Sequence, residues 1–278
     1  MNKFPRTTVG GVSLPRLICG SNAMLGYSHI SGARDKFIRE YYDTPAKLAK
    51  VVEVFAKAGC DAFLSGPNDF VRQALDMVEQ KVGKKITWLS TPTAVTIEDW
   101  KKAVEVCVKQ KATFCMPHQG ATDSRLDRIK QCLNPELTEF LRIVRKAGMI
   151  PGLSTHTPES IVFSDKSGAD VETYIQPYNA AGFLCQVETD WLTKIIHEAK
   201  KPVLTIKPLA SGKLLPPTGF EFVWGTIREV DMVCVGAMNV YEAEEDIELS
   251  LACLEKRKAN IELQFTRSKK ALMKEKGK

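Results

Sequence analysis

The chain has 278 residues, 44% of them hydrophobic, with a net charge of +6. That is enough for one large core, and no stretch reaches the ~18 apolar residues of a membrane span. Much of the positive charge lies at Arg267, Lys269, Lys270, Lys274, Lys276 and Lys278; no aromatics interleave with it on a structured face, so a nucleic-acid-binding reading is set aside.

The eight cysteines form no C-x-x-C pair and sit mostly in apolar runs. They read as small buried residues, not as a disulfide framework or a metal knot. The opening MNKFPRTTVGG carries no apolar signal region, so the expected location is cytoplasmic.

Residues 1–16 read as a hairpin turning at Gly10-Gly11. The first strand follows at 17–23, then a connection at 24–43 that is long for a compact fold. A helix opens at Thr44-Pro45 and stops at Gly59. The unit then repeats. Strands are predicted at 62–65, 86–90, 112–116, 150–154, 171–176, 202–207 and 232–237. Helical patterns lie between them, at 69–82, 96–111, a longer region ending at Gly148, 158–168 and 189–199. The last begins near Tyr241 and runs to about Lys258. Eight alternating β and α units predict an α/β fold, a single (β/α)8 TIM barrel over 17–258. The 1–16 hairpin precedes it and a basic helical extension, 259–278, follows.

In such a barrel the site lies at the C-terminal ends of the strands. Those ends carry Asn22, Ser90, His118, His156, Gln176, Tyr178, Asn179, Lys207 and Asn239. His29, from the long first connection, maps to the same rim. Histidine suits proton transfer near neutral pH. Lys207 closes an apolar strand and is followed by Pro208. Strand alternation places it with Val203 and Thr205, opposite Leu204 and Ile206. If helices cover the Leu/Ile face, Lys207 points into the barrel, where an ammonium needs a partner or a function. Asp69 and Glu172 are its candidate ion-pair partners. His29, His118 and His156 are weighed as a three-histidine metal site, but their spacing is not that of a metal motif, and no metal is assigned.

The series LICGSN, MPH, GLSTHTPES, QPYN, IKPLASGKL and VGAMNVYEAEEDIELSLA resembles the aldo/keto reductase barrels. The resemblance covers most of the chain and is specific in its second half. It implies a catalytic role for His118 and contacts from Ser154, Gln176 and Tyr178 to a nicotinamide. Lys213 would reach a pyrophosphate.

The first half departs from the family. Its Asp and Tyr belong near residues 63–69, which read FLSGPND, and its Lys belongs where the chain has Ser90-Thr91-Pro92-Thr93. Three of the four redox residues are missing, and only His118 remains. The segment expected to hold an adenosine phosphate has Glu242, Glu244 and Glu245 and no Arg or Lys. NADPH is possible, but tight binding is not expected.

The leading reading is therefore a non-redox enzyme of the lyase or isomerase kind. It would act on a small polar carbonyl or sugar-like metabolite by acid–base or Schiff-base chemistry of His118 and Lys207. The substrate would meet Asn22, His29, Ser90, His156, Gln176, Tyr178, Asn179 and Asn239. One alternative is an NAD(P)H-dependent oxidoreductase with Tyr27, Tyr41 or Tyr42 as substitute proton donor. Another is a non-catalytic binding barrel. A small molecule is the only partner expected, and the reading leaves cofactor and oligomeric state open. Residues 24–43 are expected to fold over the mouth as a lid.

Overall fold

Residues 4–262 and Lys269 are described by a computed structural model. Strands β1 (Arg6–Val9) and β2 (Val12–Pro15) pair antiparallel. Gly10 (φ +53°) and Gly11 (φ +81°) make the turn, a left-handed pair that glycine adopts without Cβ strain. Val9 and Leu14 of this hairpin join the apolar cluster inside the barrel. The hairpin thus plugs one end.

The barrel strands are β3 (Leu17–Gly20), β4 (Ala62–Ser65), β5 (Thr87–Ser90) and β6 (Phe114–Cys115). A short antiparallel pair, β7 (Leu126–Asp127) and β8 (Cys132–Leu133), stands apart from them. The barrel continues with β9 (Ile150–Pro151), β10 (Leu153–Ser154), β11 (Tyr174–Pro177), β12 (Val203–Ile206) and β13 (Met232–Val235). All neighbours in it are parallel, in the order β10-β11-β12-β13-β3-β4-β5-β6-β9. β9 and β10 are two halves of one staff, 150–154, split at Gly152. β9 pairs with β6 and β10 with β11, so this staff closes an eight-staved barrel.

Gly152 is where the closure is tightest. A Cβ there would stand 2.6 Å from the Thr173 carbonyl oxygen and 3.0 Å from Met116 Sδ. Gly152→Ala is expected to cost about 1–3 kcal/mol by overpacking against backbone that cannot swing aside. Urea unfolding checks this. A midpoint matching wild type would show that the staff does not close here.

Alternate residues sort into two layers. Ile18, Ala62, Leu89, Phe114, Met116, Ile175, Leu204, Met232 and Cys234 fill the interior. Leu17, Phe63, Trp88, Leu153, Tyr174, Val203 and Val233 face the helices. The helices are α1 (Asn22–Leu25), α2 (Gly32–Tyr41), α3 (Pro45–Lys57), α4 (Asp69–Val82), α5 (Ile97–Lys109) and α6 (Gln119–Asp123). They continue with α7 (Pro135–Lys146), α8 (Glu159–Ser167), α9 (Thr189–Glu198), α10 (Pro216–Thr226) and α11 (Val240–Leu254). Local signals set their ends. The Asn68 side chain accepts the Phe70 N–H, and Gly83 ends α4 with φ +66°. Thr96 and Asp99 close a capping box on α5.

One expectation changes. The region before Gly148 is not one helix: β7 and β8 interrupt it, with the Asp127 carboxylate accepting from Ile129 and Lys130 N–H in the turn. The basic extension, 259–278, lies mostly outside the described residues. Among these, no helix is long and apolar enough to cross a membrane.

The barrel base is clamped by Asp231, which is fully buried. Its carboxylate accepts from Val203 N–H (2.8 Å) and from the Arg228 N–H, Nε and guanidinium terminus at 2.7–2.9 Å. Arg16 Nε donates to the Asp231 carbonyl (2.9 Å). The clamp ties β12 to the approach to β13.

Candidate active site

The mouth gathers four basic side chains. Lys207 follows β12 with φ +63°, a left-handed conformation uncommon for a side-chain-bearing residue. The helices do not cover the Leu/Ile face: Leu204 and Ile206 pack inside, Val203 outside. Continued strand geometry would have sent Lys207 outward. After the left-handed turn its amine lies beside His29 and near Cys234, an interior residue of β13.

Lys207 Nζ lies 2.9 Å from His29 Nε2. Two fully protonated groups would face donor to donor, so this pair carries at most one positive charge. Burial lowers the Lys207 pKa from its ordinary value to about 8. Among the described residues no carboxylate forms an ion pair with it. Asp69 is bonded to Gln110 (2.7 Å), and Glu172 is held by Arg145 and Lys201 at 3.0 Å.

His118 ends the strand-four connection and is fixed by its N–H to Pro92 O (3.0 Å). Burial lowers its pKa; Asp123 opposes this and Lys207 adds to it. His156 follows β10. Burial first, then Lys207, His118 and His29, bring its imidazole down to about 4. His29 is lowered by burial and by Lys207, against Asp35. A cleft of about 280 Å³ reaches His118 between the loop at Thr93 to Val95 and α6, with Arg125 on its wall.

Asp123, at the end of α6, organises this rim and carries no motif that sequence reading could have caught. It accepts the Thr155 hydroxyl and the His156 N–H (3.1 Å). Burial raises its pKa, opposed chiefly by the Thr155 hydrogen bond.

The long first connection folds as α1 and α2 and reaches the mouth. His29 meets Lys207 and sets its ring edge-on to Phe183, centroids 6.3 Å apart. The Lys213 ammonium lies 3.9 Å from the same Phe183 ring. Tyr42 OH donates to Met238 O (2.6 Å).

The structure thus brings together His29, His118, His156 and Lys207, with Lys213 beside them and Asn22 exposed on the rim. Ser154 is buried on the inward-facing register of its staff. Other sequence-predicted residues lie elsewhere. Ser90 is enclosed behind the sheet, with its hydroxyl 3.3 Å from Cys107 Sγ. Tyr178 packs on Phe222 in the helix layer, its hydroxyl 2.9 Å from Thr226 Oγ1. Asn179 closes a turn by bonding both ways to Phe183. Asn239 caps α11 through Tyr241 and Glu242 N–H. Gln176 is fully buried in the outward register, with its Oε1 unpartnered.

These placements bear on a nicotinamide dinucleotide. Tyr178 has no face free to stack, Asn239 is spent as a cap, and the Glu242 carboxylate accepts the Met238 N–H and the Asn239 side-chain amide. Only the Gln176 oxygen is left wanting a donor. The residues present do not fit the cofactor in the manner the resemblance implied. Nor, among the described residues, does any group of three His, Cys, Asp or Glu side chains converge enough to hold a metal ion.

No protein-family model and no curated protein matches the chain. Solved structures do. A protein assigned as an aldo-keto reductase from Pseudomonas aeruginosa aligns with a TM-score of 0.64 at 15% identity, over 90% of this chain and 96% of that one. An aldo/keto reductase from Brucella melitensis gives 0.60 at 13%, over 89% and 93%. Aldose reductase from Giardia lamblia gives 0.54 at 11%, over 92% and 89%. With the hairpin plug and the closed parallel sheet, they show that the chain carries a divergent (β/α)8 barrel of the aldo/keto reductase kind.

Proposed function

We propose that the protein is an enzyme in which Lys207 acts as an amine nucleophile or base on a small polar carbonyl compound, with His118 moving protons beside it. The observation that carries this reading is the low-pKa Lys207 amine, which among the described residues has no carboxylate partner and lies 2.9 Å from the His29 imidazole. A structural lysine would have a carboxylate partner and an ordinary pKa. Where the resemblance would put the redox Asp, Tyr and Lys, the chain has Phe63 to Asp69 and Ser90 to Thr93, and the Ser65 hydroxyl in the first of these takes the Trp88 indole N–H (3.0 Å). Tyr42 is poorly suited as the substitute, because its hydroxyl proton is committed to Met238 O and burial pushes its pKa up, making it a weaker acid.

The step balances without a cofactor. The Lys207 nitrogen gives a proton to a neighbouring imidazole, then attacks the carbonyl carbon. The C=O π bond breaks, and the oxygen takes up protons and departs as water. Ketone plus Lys–NH3+ becomes a protonated imine plus water, with charge conserved. That imine draws electrons from the adjacent carbon, so His118 can take a proton there. The reaction class is lyase or isomerase.

Borohydride reduction in the presence of small aldehydes and ketones tests this. The expected result is a stable mass increase on Lys207, read by peptide mass spectrometry. An unmodified Lys207 with every carbonyl compound that binds would overturn the imine mechanism.

A further inference from the structure

The mouth has a charge problem that the amine chemistry alone does not explain. His29 (φ +56°) and Lys207 (φ +63°) are both non-glycine residues held left-handed, and both are turned towards each other. Backbone strain of this kind persists where the surrounding fold enforces it, and it clusters at ligand sites. Here it brings two basic groups to 2.9 Å. His156 feels Lys207, His118 and His29 together, and among the described residues no carboxylate opposes them at its ring. The nearby acids are engaged. Asp35 accepts Ser28 N–H (2.7 Å) and its hydroxyl (2.6 Å). Asp123 is held by Thr155 and the His156 N–H.

We propose that His29, His156 and Lys207 form an oxyanion-binding subsite, so that the substrate is a carbonyl compound bearing a carboxylate or a phosphoryl group. This names the substrate class of the proposed function and rests on that reading for its carbonyl half. An entering anion supplies the missing negative charge. It lets His29 and His156 each hold a proton as donors and frees Lys207 from His29. Because His29 sits on the connection leading into α2, the same anion fastens that segment over the mouth.

The groups that set the pH response are Lys207, His29, His118 and His156, with Asp123 under the His156 backbone and Asp35 beside His29. Burial and mutual repulsion lower the imidazoles in the free protein. A bound anion raises them, so binding takes up protons and tightens as pH falls.

Titration calorimetry with sulfate, phosphate and acetate tests the proposal. Sulfate keeps its charge from about pH 8 to about pH 6, so any change in its affinity belongs to the protein. The expected result is sulfate binding that tightens roughly tenfold over that interval, a conservative figure against a limit of about tenfold per pH unit for one proton taken up. Lys207→Met and His156→Asn should each weaken it, and His29→Asn, on an exposed loop, should flatten the pH response without unfolding the chain. Preference for sulfate and phosphate over acetate assigns a phosphoryl group, and equal binding of acetate assigns a carboxylate. Absence of binding by all three in the millimolar range, or binding that none of the variants alters, overturns the proposal. Sulfate has no carbonyl, so its failure to bind leaves the imine chemistry standing. Failed borohydride trapping would leave the anion subsite standing.

Discussion

Lys207→Met is expected to abolish turnover and imine trapping while raising thermal stability near pH 7. The two effects share one cause. Burial lowers the Lys207 pKa to about 8, from the ordinary lysine value of about 10.4. Since its folded-state pKa lies below its unfolded one, the unfolded chain binds the extra proton, and the charged amine costs stability below about pH 8. The shift corresponds to roughly 3 kcal/mol at ~1.4 kcal/mol per unit, and partial exposure leaves on the order of 2 kcal/mol. Losing the His29 hydrogen bond offsets about 1 kcal/mol. The variant should therefore gain about 1 kcal/mol, or roughly 2–4 °C in melting temperature. The advantage should fade as pH rises from about 8 to 10.5, where the wild-type lysine folds uncharged. Melting curves at about pH 7 and about pH 10 read this directly. A variant less stable than wild type at both would mean that Lys207 is a structural group.

Asp231→Ala should do the reverse. It is expected to cost about 3–5 kcal/mol, because it strands a guanidinium and a strand N–H in a buried place. Arg228 would keep only carbonyl partners, among them Lys201 O at 3.0 Å. Urea unfolding gives the loss. Whatever folded fraction remains should still show a reactive Lys207, since the clamp lies at the opposite end of the barrel. Conservation of effort at the two ends differs in kind: residues at the strand starts hold the barrel, and those at the strand ends serve the site. A loss under about 1 kcal/mol would show that the clamp is not what joins β12 to β13.

The barrel was legible because its signals are local. Asn68 and Gly83 bracket α4 at the predicted residues 69–82. The Gly10-Gly11 turn fixes the hairpin. The pair β7 and β8 was not legible, because strands of two residues are too short to show a period. At the site, the histidines were legible as strand-end or first-loop residues, and the tertiary fold brings them together. The face of each residue was not legible. Ser90, Gln176 and Tyr178 stand one position from an inward register, and nothing in an apolar strand such as VLTI tells Leu and Ile from Val as the inner set. Lys207 reaches the mouth through a backbone torsion that strand alternation does not contain. Asn179 and Asn239 belong to the class whose side chains cap and turn backbone, and here that use prevails.

Competitive labelling of Lys207 tests the central claim most directly. The protein is treated with a trace of a small neutral acylating reagent across about pH 6 to 11, and the extent of Lys207 modification is read by peptide mass spectrometry. The account predicts a titration midpoint near 8, the value burial imposes on the amine, and reactivity above that of the surface lysines at neutral pH. A midpoint at the ordinary lysine value of about 10.4, with no excess reactivity, would contradict it.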